Sequence, residues 1–251
     1  EYDKLGITTA RECYKKARTY ARKAINGYSP ITEAQWHNTQ DGFNKENQAW
    51  MWKLGYTTRE QISYLYFTFT SCMTSETNWG LAGTYGATRM IGSALYNKMP
   101  EGDWRHYSWI DPNAAGTHEG YEKYDSLTIG NKKEKLTLFD EEAWKQLPAY
   151  ANIKFRPAKG NISDPYEGQF ISLPLMCIRD SFEATAHLDG VAAGVTALKD
   201  FINTYRYTDN SYDAANATTM EEFMKELMVQ KRIEFWGEGI NYFDYKRLGL
   251  H

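Results

Sequence analysis

A stretch of helical spacing near the C-terminus limits the fold more than any other part of the chain. Thr219 followed by Glu222 forms a capping box, which satisfies the first free amides of a helix. Phe223, Met224, Leu227 and Met228 then recur at the helical period and are expected to face a core. Glu221 and Lys225 add a weakly favourable pair one turn apart. Gly237 and Gly239 bracket Glu238, and the helix is expected to bend or fray there. Arg232, Glu234, Glu238, Asp244, Lys246 and Arg247 crowd the end of this stretch. Paired carboxylates can carry acid–base chemistry. No other catalytic group accompanies these, so the crowding reads as an ion-pair network that locks the helix to its neighbours.

Helical periodicity also marks the other end of the chain. Thr9 with Glu12 opens a second capping box. Ala10, Cys13, Tyr14, Ala17, Ala21, Ala24 and Ile25 share one face, and Gly27 can end that helix. Such a small-residue face lets a partner helix approach closely, as in tetratricopeptide-like helix pairs. From Pro174 the period returns, with Leu175, Ile178, Phe182 and Ala186 on one face. Val191, Val195, Leu198, Ile202 and Tyr205 make another, and Asp189-Gly190 turns between them, which predicts an antiparallel helix pair. Residues 207 to 218 read as a polar loop.

Residues 30 to about 165 lack long periodicity and are rich in Gly, Asn, Thr, Trp and Tyr. Trp50-Met51-Trp52 alternates as a short strand does, with both indoles expected to pack inward. Leu136 to Leu138 and Ile153 to Phe155 alternate too, and can form a small sheet. Thr88 to Asn97 is expected to be helical, with Met90, Ile91, Ala94 and Leu95 inward. Asp103 and Arg105 are placed to pin the turn after Pro100. An irregular segment of this length is more often functional than filler. Together these readings predict a mainly α fold: helices at both ends in one superhelical scaffold, carrying a long irregular loop region with a few short strands.

Composition removes several function classes. A net charge of −3 gives no reason to expect nucleic-acid binding. Cys13, Cys72 and Cys177 are odd in number and far apart, which fits neither a disulfide framework nor a metal cluster; Cys13 and Cys177 fall on apolar helix faces and are expected to be buried. There is no phosphate-cradling glycine loop, no His-Glu-x-x-His and no Gly-x-Ser-x-Gly. His106 and His118 share a region with Glu119, but they read as surface polar residues, and no metal or cofactor is expected.

The distinctive chemistry is aromatic. Six of the 8 Trp lie between residues 36 and 109 (Trp36, Trp50, Trp52, Trp79, Trp104 and Trp109), and Tyr64, Tyr66, Tyr85, Tyr107, Tyr121 and Tyr124 accompany them. A sugar ring offers a C–H face that a flat ring covers by dispersion, and a rim of hydroxyls for polar groups. Glu76-Thr-Asn78-Trp79-Gly80 followed by Tyr85 suits such a contact: Trp79 as platform, Asn78 or Glu76 on the rim. Most Trp side chains in globular proteins pack in or near the core, and Trp104 and Trp109 are expected to cover the turn they flank.

The run from Met220 to Gly249, through Trp236-Gly237-Glu238-Gly239, resembles the C-terminal signature of SusD/RagB-like proteins. The string from Gly92 to Arg105 is similar to a second pattern of that family, a helix ending in Leu-Tyr, a Pro turn, then Asp and Arg two apart. The first helix of the later pair keeps Glu183-Ala184 but matches the family only loosely elsewhere. The resemblance implies a SusD-like helical scaffold across 1–251: a scaffold helix in 1–29, a ligand-binding irregular region in 30–165, and the helix pair with the signature helix in 166–251. It gives Arg232, Glu234, Trp236, Gly237, Glu238, Gly239, Asp244 and Arg247 a structural role. Family members are longer and begin with a signal and a lipidated Cys, so the resemblance implies the later half of a longer protein.

The function implied is non-catalytic. A cell-surface lipoprotein of the outer membrane in Bacteroidetes-type bacteria would bind an oligosaccharide and pass it to a TonB-dependent, SusC-like transporter. Some family members bind peptides instead. A carbohydrate-active enzyme is the second reading, with Glu76, Asp103, Glu119 and Glu238 as its acids; it requires two carboxyls roughly 5 to 10 Å apart across an open cleft. A helical module for protein–protein contact is the third.

Overall fold

The computed structural model describes residues 4–6, 8–37, 43, 47–55, 89–113, 126–129, 132–135, 149–155, 170–173, 176–214 and 217–250. Helix outweighs strand among them, as the periodicity predicts. The chain divides into two compact units, Glu1–Pro30 with Pro174–His251, and Ile31–Leu173.

The first unit is helical. Helix α1 spans Ala10–Ala24 and starts on the Thr9/Glu12 capping box. Within the second unit come α2 (Glu33–His37) and α3 (Ser93–Tyr96). The first unit resumes with α4 (Met176–Asp189), α5 (Val191–Tyr205), α6 (Met220–Glu234) and α7 (Asn241–Leu248). Gly190 takes φ +100° between α4 and α5, a value that costs glycine little, and there the chain reverses as Asp189-Gly190 predicts. The Thr219/Glu222 capping box opens α6. After Glu234 the chain leaves the helix, and Gly237 and Gly239 take φ +79° and +75° in the turn to α7.

The core of this unit is built from α4, α5 and α6. Phe182, Ala186, Leu198, Ile202, Phe223 and Leu227 are buried together in it. Helices α4 and α5 come close because position 194 has no side chain. A β-carbon on Gly194 would lie 2.5 Å from that of Ala186 and 3.0 Å from the Phe223 ring.

Several expectations need correction here. Cys13 is exposed. Helix α1 meets α4 along the line of Tyr14, Arg18 and Ala21, through a Tyr14–His187 stack at 4.0 Å and an Arg18–Asp189 ion pair, while Cys13 and Ala17 lie on the neighbouring, exposed stripe. Tyr205 is 42% exposed at the end of α5, and Gly194 and Phe201 take the buried positions instead. The loop after α5 is more than polar: Tyr207, Tyr212 and Ala217 fold back into the core. Asn203 holds it there, accepting from the Tyr212 amide at 3.0 Å and donating to its carbonyl at 2.8 Å. Leu175 and Cys72 lie outside the described residues, and only the backbone is described at Cys177 and Ile178.

In the second unit, β1 (Trp52–Gly55) pairs antiparallel with β4 (Phe170–Leu173), and β2 (Ser126–Ile129) with β3 (Lys132–Lys135). Strand β1 begins at Trp52, so Trp50 is buried outside it, before a bend at Met51. The 149–155 segment is no regular strand either. It threads between 89–91 and 108–110 through isolated bridges, Met90 with Ala151 and Trp109 with Asn152. Bends follow at 154 and 155, and Ile153, Lys154 and Phe155 are all buried, which breaks the expected alternation. The same bridges shorten the helix expected from Thr88. The Ile91 amide donates to Tyr150 rather than into a helix, so α3 starts only after Gly92, leaving Met90 and Ala94 exposed while Ile91 and Leu95 are buried. Backbone pairing with distant chain overrides local helix preference there. Leu136 to Leu138 lie outside the described residues.

Candidate functional site

Glu76, Asn78, Trp79 and Tyr85 lie outside the described residues, as do Tyr64, Tyr66, His118, Glu119, Tyr121 and Tyr124. What the second unit does describe is a buried cluster of rings around a capped turn. A 3₁₀ helix, Trp104–Ser108, is capped by Asp103, whose carboxylate accepts from the Arg105 amide at 3.1 Å. The Arg105 guanidinium binds the same carboxylate through Nε at 2.9 Å and Nη2 at 2.7 Å, with both side chains sealed from solvent. Asp103 therefore pins the turn and offers no carboxyl to a cleft.

Trp36, Trp50, Trp104 and Trp109 are all buried. Trp36 donates from its indole nitrogen to the Ser108 hydroxyl at 2.7 Å and meets Trp104 edge-on at 5.4 Å. The Lys154 ammonium, itself buried, stands over three rings: Trp36 at 4.6 Å, Phe43 at 4.9 Å and Phe155 at 5.0 Å. A cation among ring faces is held by their quadrupoles, which act strongly once water is gone. His37 completes the cluster, with Nε2 3.1 Å from the Trp104 carbonyl oxygen. Burial drives its pKa down to about 4, against a smaller upward pull from that hydrogen bond, so the ring is neutral near neutral pH. These indoles are scaffold. No sequence signal singled out Lys154, because nothing local distinguishes a caged lysine from an exposed one.

In the first unit, the signature residues meet the later helix pair. Glu234 binds Arg206 through two contacts, 2.8 Å and 2.6 Å, both side chains buried. Lys231 pairs with Asp244, Asp244 accepts from Arg247 at 3.0 Å, and Arg247 reaches Glu183 on α4. Burial pushes the Asp244 carboxyl up, yet Lys231 and Arg247 outweigh it and hold the pKa below the ordinary value. Arg232 lies over the Tyr245 ring at 5.9 Å, and Trp236 and Glu238 are half-buried in the Gly237–Gly239 turn. A depression of about 280 Å³ opens beside the chain of charges, bordered by Tyr14, Glu183, Lys231, Phe243 and Arg247. Its charged groups bind one another, so this cluster fastens α7 to α4 and α6. Among the described residues no three metal-ligating side chains gather.

Two solved structures are similar to this chain in fold. A SusD-like carbohydrate binding protein from Bacteroides vulgatus ATCC 8482 matches over 93% of this chain and 41% of its own, with TM-score 0.57 and 19% identity. A SusD superfamily protein from Bacteroides thetaiotaomicron VPI-5482 matches over 94% of this chain and 46% of its own, with TM-score 0.59 and 19% identity. The fold is SusD-like. At this identity the likeness speaks for the fold, and the chain spans less than half the length of either structure. No protein-family model matches the sequence, and no curated relative does. Among the described residues no helix is long and apolar enough to cross a membrane.

Proposed function

We propose that this protein captures oligosaccharide at the cell surface without altering it, and delivers it to a TonB-dependent, SusC-like transporter in the outer membrane, where it is held as a lipoprotein. The observation that carries this reading is the SusD-like fold, shared over 93% of the chain with a protein described as carbohydrate binding. The ring-rich composition of region 30–165 supports it, because aromatic faces suit sugar C–H surfaces. In this reading 1–29 and 166–251 are scaffold, and Trp79, Asn78, Glu76 and Tyr85 form a first contact set.

The test is calorimetric titration with defined oligosaccharides, followed by chromatography of the incubated sugars. Saturable binding with every sugar recovered intact is expected, and it should weaken in Trp79→Ala. Shorter products would sink the non-catalytic reading. Undiminished binding in Trp79→Ala would remove that platform only.

A further inference from the structure

Tyr150 lies in the left-handed region, at φ +67°. A side chain there crowds the neighbouring carbonyl, which is why glycine and asparagine usually fill such positions. The ladder on both sides enforces the conformation. The Tyr150 amide donates to the Ile110 carbonyl at 2.8 Å, and its own carbonyl accepts from the Ile91 amide at 3.1 Å. Glycine would satisfy this backbone without strain, yet the chain places a phenol here. Backbone strain of this kind concentrates where a side chain is needed for something other than stability.

The ring heads a row of aromatic contacts. Tyr150 meets Tyr96 edge-on, centroids 5.2 Å apart. Tyr96 is buried, and its hydroxyl is 3.4 Å from His106 Nδ1, with their rings 4.4 Å apart. Tyr107 continues the row at 6.0 Å from His106. Tyr150, His106 and Tyr107 all remain partly exposed, unlike the four described indoles of the core.

We propose that Tyr150 is a stacking platform for one pyranose ring of the captured oligosaccharide, stiffened from behind by Tyr96, which His106 holds in turn, with the Tyr150 hydroxyl bonding to the sugar's hydroxyl rim. This rests on the glycan-capture reading and adds a contact that does not depend on Trp79. An edge-on buried neighbour fixes the plane of the ring, so little rotamer freedom is lost on binding.

The experiment compares the full chain with Tyr150→Gly and Tyr150→Phe. Each is titrated calorimetrically with maltoheptaose, cellohexaose, xylohexaose, mannohexaose and chitohexaose, and with a mixed tetrapeptide pool, and each is melted without ligand. The wild-type chain should bind at least one of the sugars. Tyr150→Gly should bind it about tenfold or more weakly, the loss of one stacked ring, with a melting temperature within a few degrees of wild type because glycine accepts the φ. Tyr150→Phe should keep most of the affinity. Equal sugar binding by wild type and Tyr150→Gly overturns the platform and leaves glycan capture standing. A large fall in melting temperature for Tyr150→Gly makes the ring a packing residue and overturns it too. Binding of tetrapeptides alone, or of nothing, overturns both.

Discussion

Arg247 grips Glu183 with both terminal guanidinium nitrogens, at 2.7 Å and 2.8 Å, across 64 positions of sequence. The contact ties the last helix to α4, and Arg247 also donates to Asp244 at 3.0 Å. The arginine side chain is 46% exposed, so solvent screens the pair, whereas that of Glu183 is only 9% exposed. Arg247→Met should therefore destabilise the protein by about 1–2 kcal/mol, between exposed and buried pairs. Arg247→Lys should recover only part of that, since an ammonium cannot fork onto both oxygens. Urea midpoints of the three proteins check the order; a lysine variant equal to wild type would remove the forked geometry from the account.

Gly194→Ala sets helix propensity against packing. Alanine favours a helix interior by about 1 kcal/mol over glycine. The new methyl would sit 2.5 Å from the Ala186 β-carbon and 3.1 Å from its α-carbon, so backbone must move. Overpacking of this kind costs about 1–3 kcal/mol, and the net effect should be destabilising. A thermal melt with a raised midpoint would show that α4 and α5 separate easily.

Asp103→Ala removes the carboxylate that two guanidinium nitrogens of Arg105 bind in a sealed site. A loss of about 3 kcal/mol or more is expected, the scale for breaking a buried pair from one side. Denaturant unfolding measures it. A variant as stable as wild type would show that the turn after Pro100 holds without the pair.

His37 links stability to acid. Its folded pKa, pushed by burial to about 4, is below the unfolded value near 6.5, so the unfolded chain binds the extra proton between those limits. Stability should be unaffected above about pH 6.5 and decline as pH falls toward 4, by up to about 3 kcal/mol at full effect. His37→Gln cannot take up that proton and should lack this part of the decline. Parallel pH–stability curves for the two proteins would sink the assignment.

Local rules made the helices legible. Capping boxes at Thr9 and Thr219, the apolar period of Phe223 and Leu227, and Gly190 at the reversal depend on neighbours within a turn, so the sequence carries them directly. The Asp103–Arg105 turn was legible for the same reason, with its partners two residues apart. The chain also announced its abundance of rings, but not which of them would be buried.

Position in space settled the remainder. Met90 lost its inward place because residues 150–152 arrive from far along the chain and take the backbone bonds a helix would have used, and Ala94 lies on the exposed side of the short helix that remains. Cys13 stayed exposed because α4 covers only one stripe of α1. The ring cage around Lys154 and the left-handed Tyr150 have no local signature, since each is made by segments tens of residues apart. By itself the sequence determined where the capped helices α1 and α6 start and where α4 turns into α5, since those choices are governed by contacts one turn away. Only the tertiary structure decided which side chains meet water, because burial depends on what the rest of the chain brings alongside.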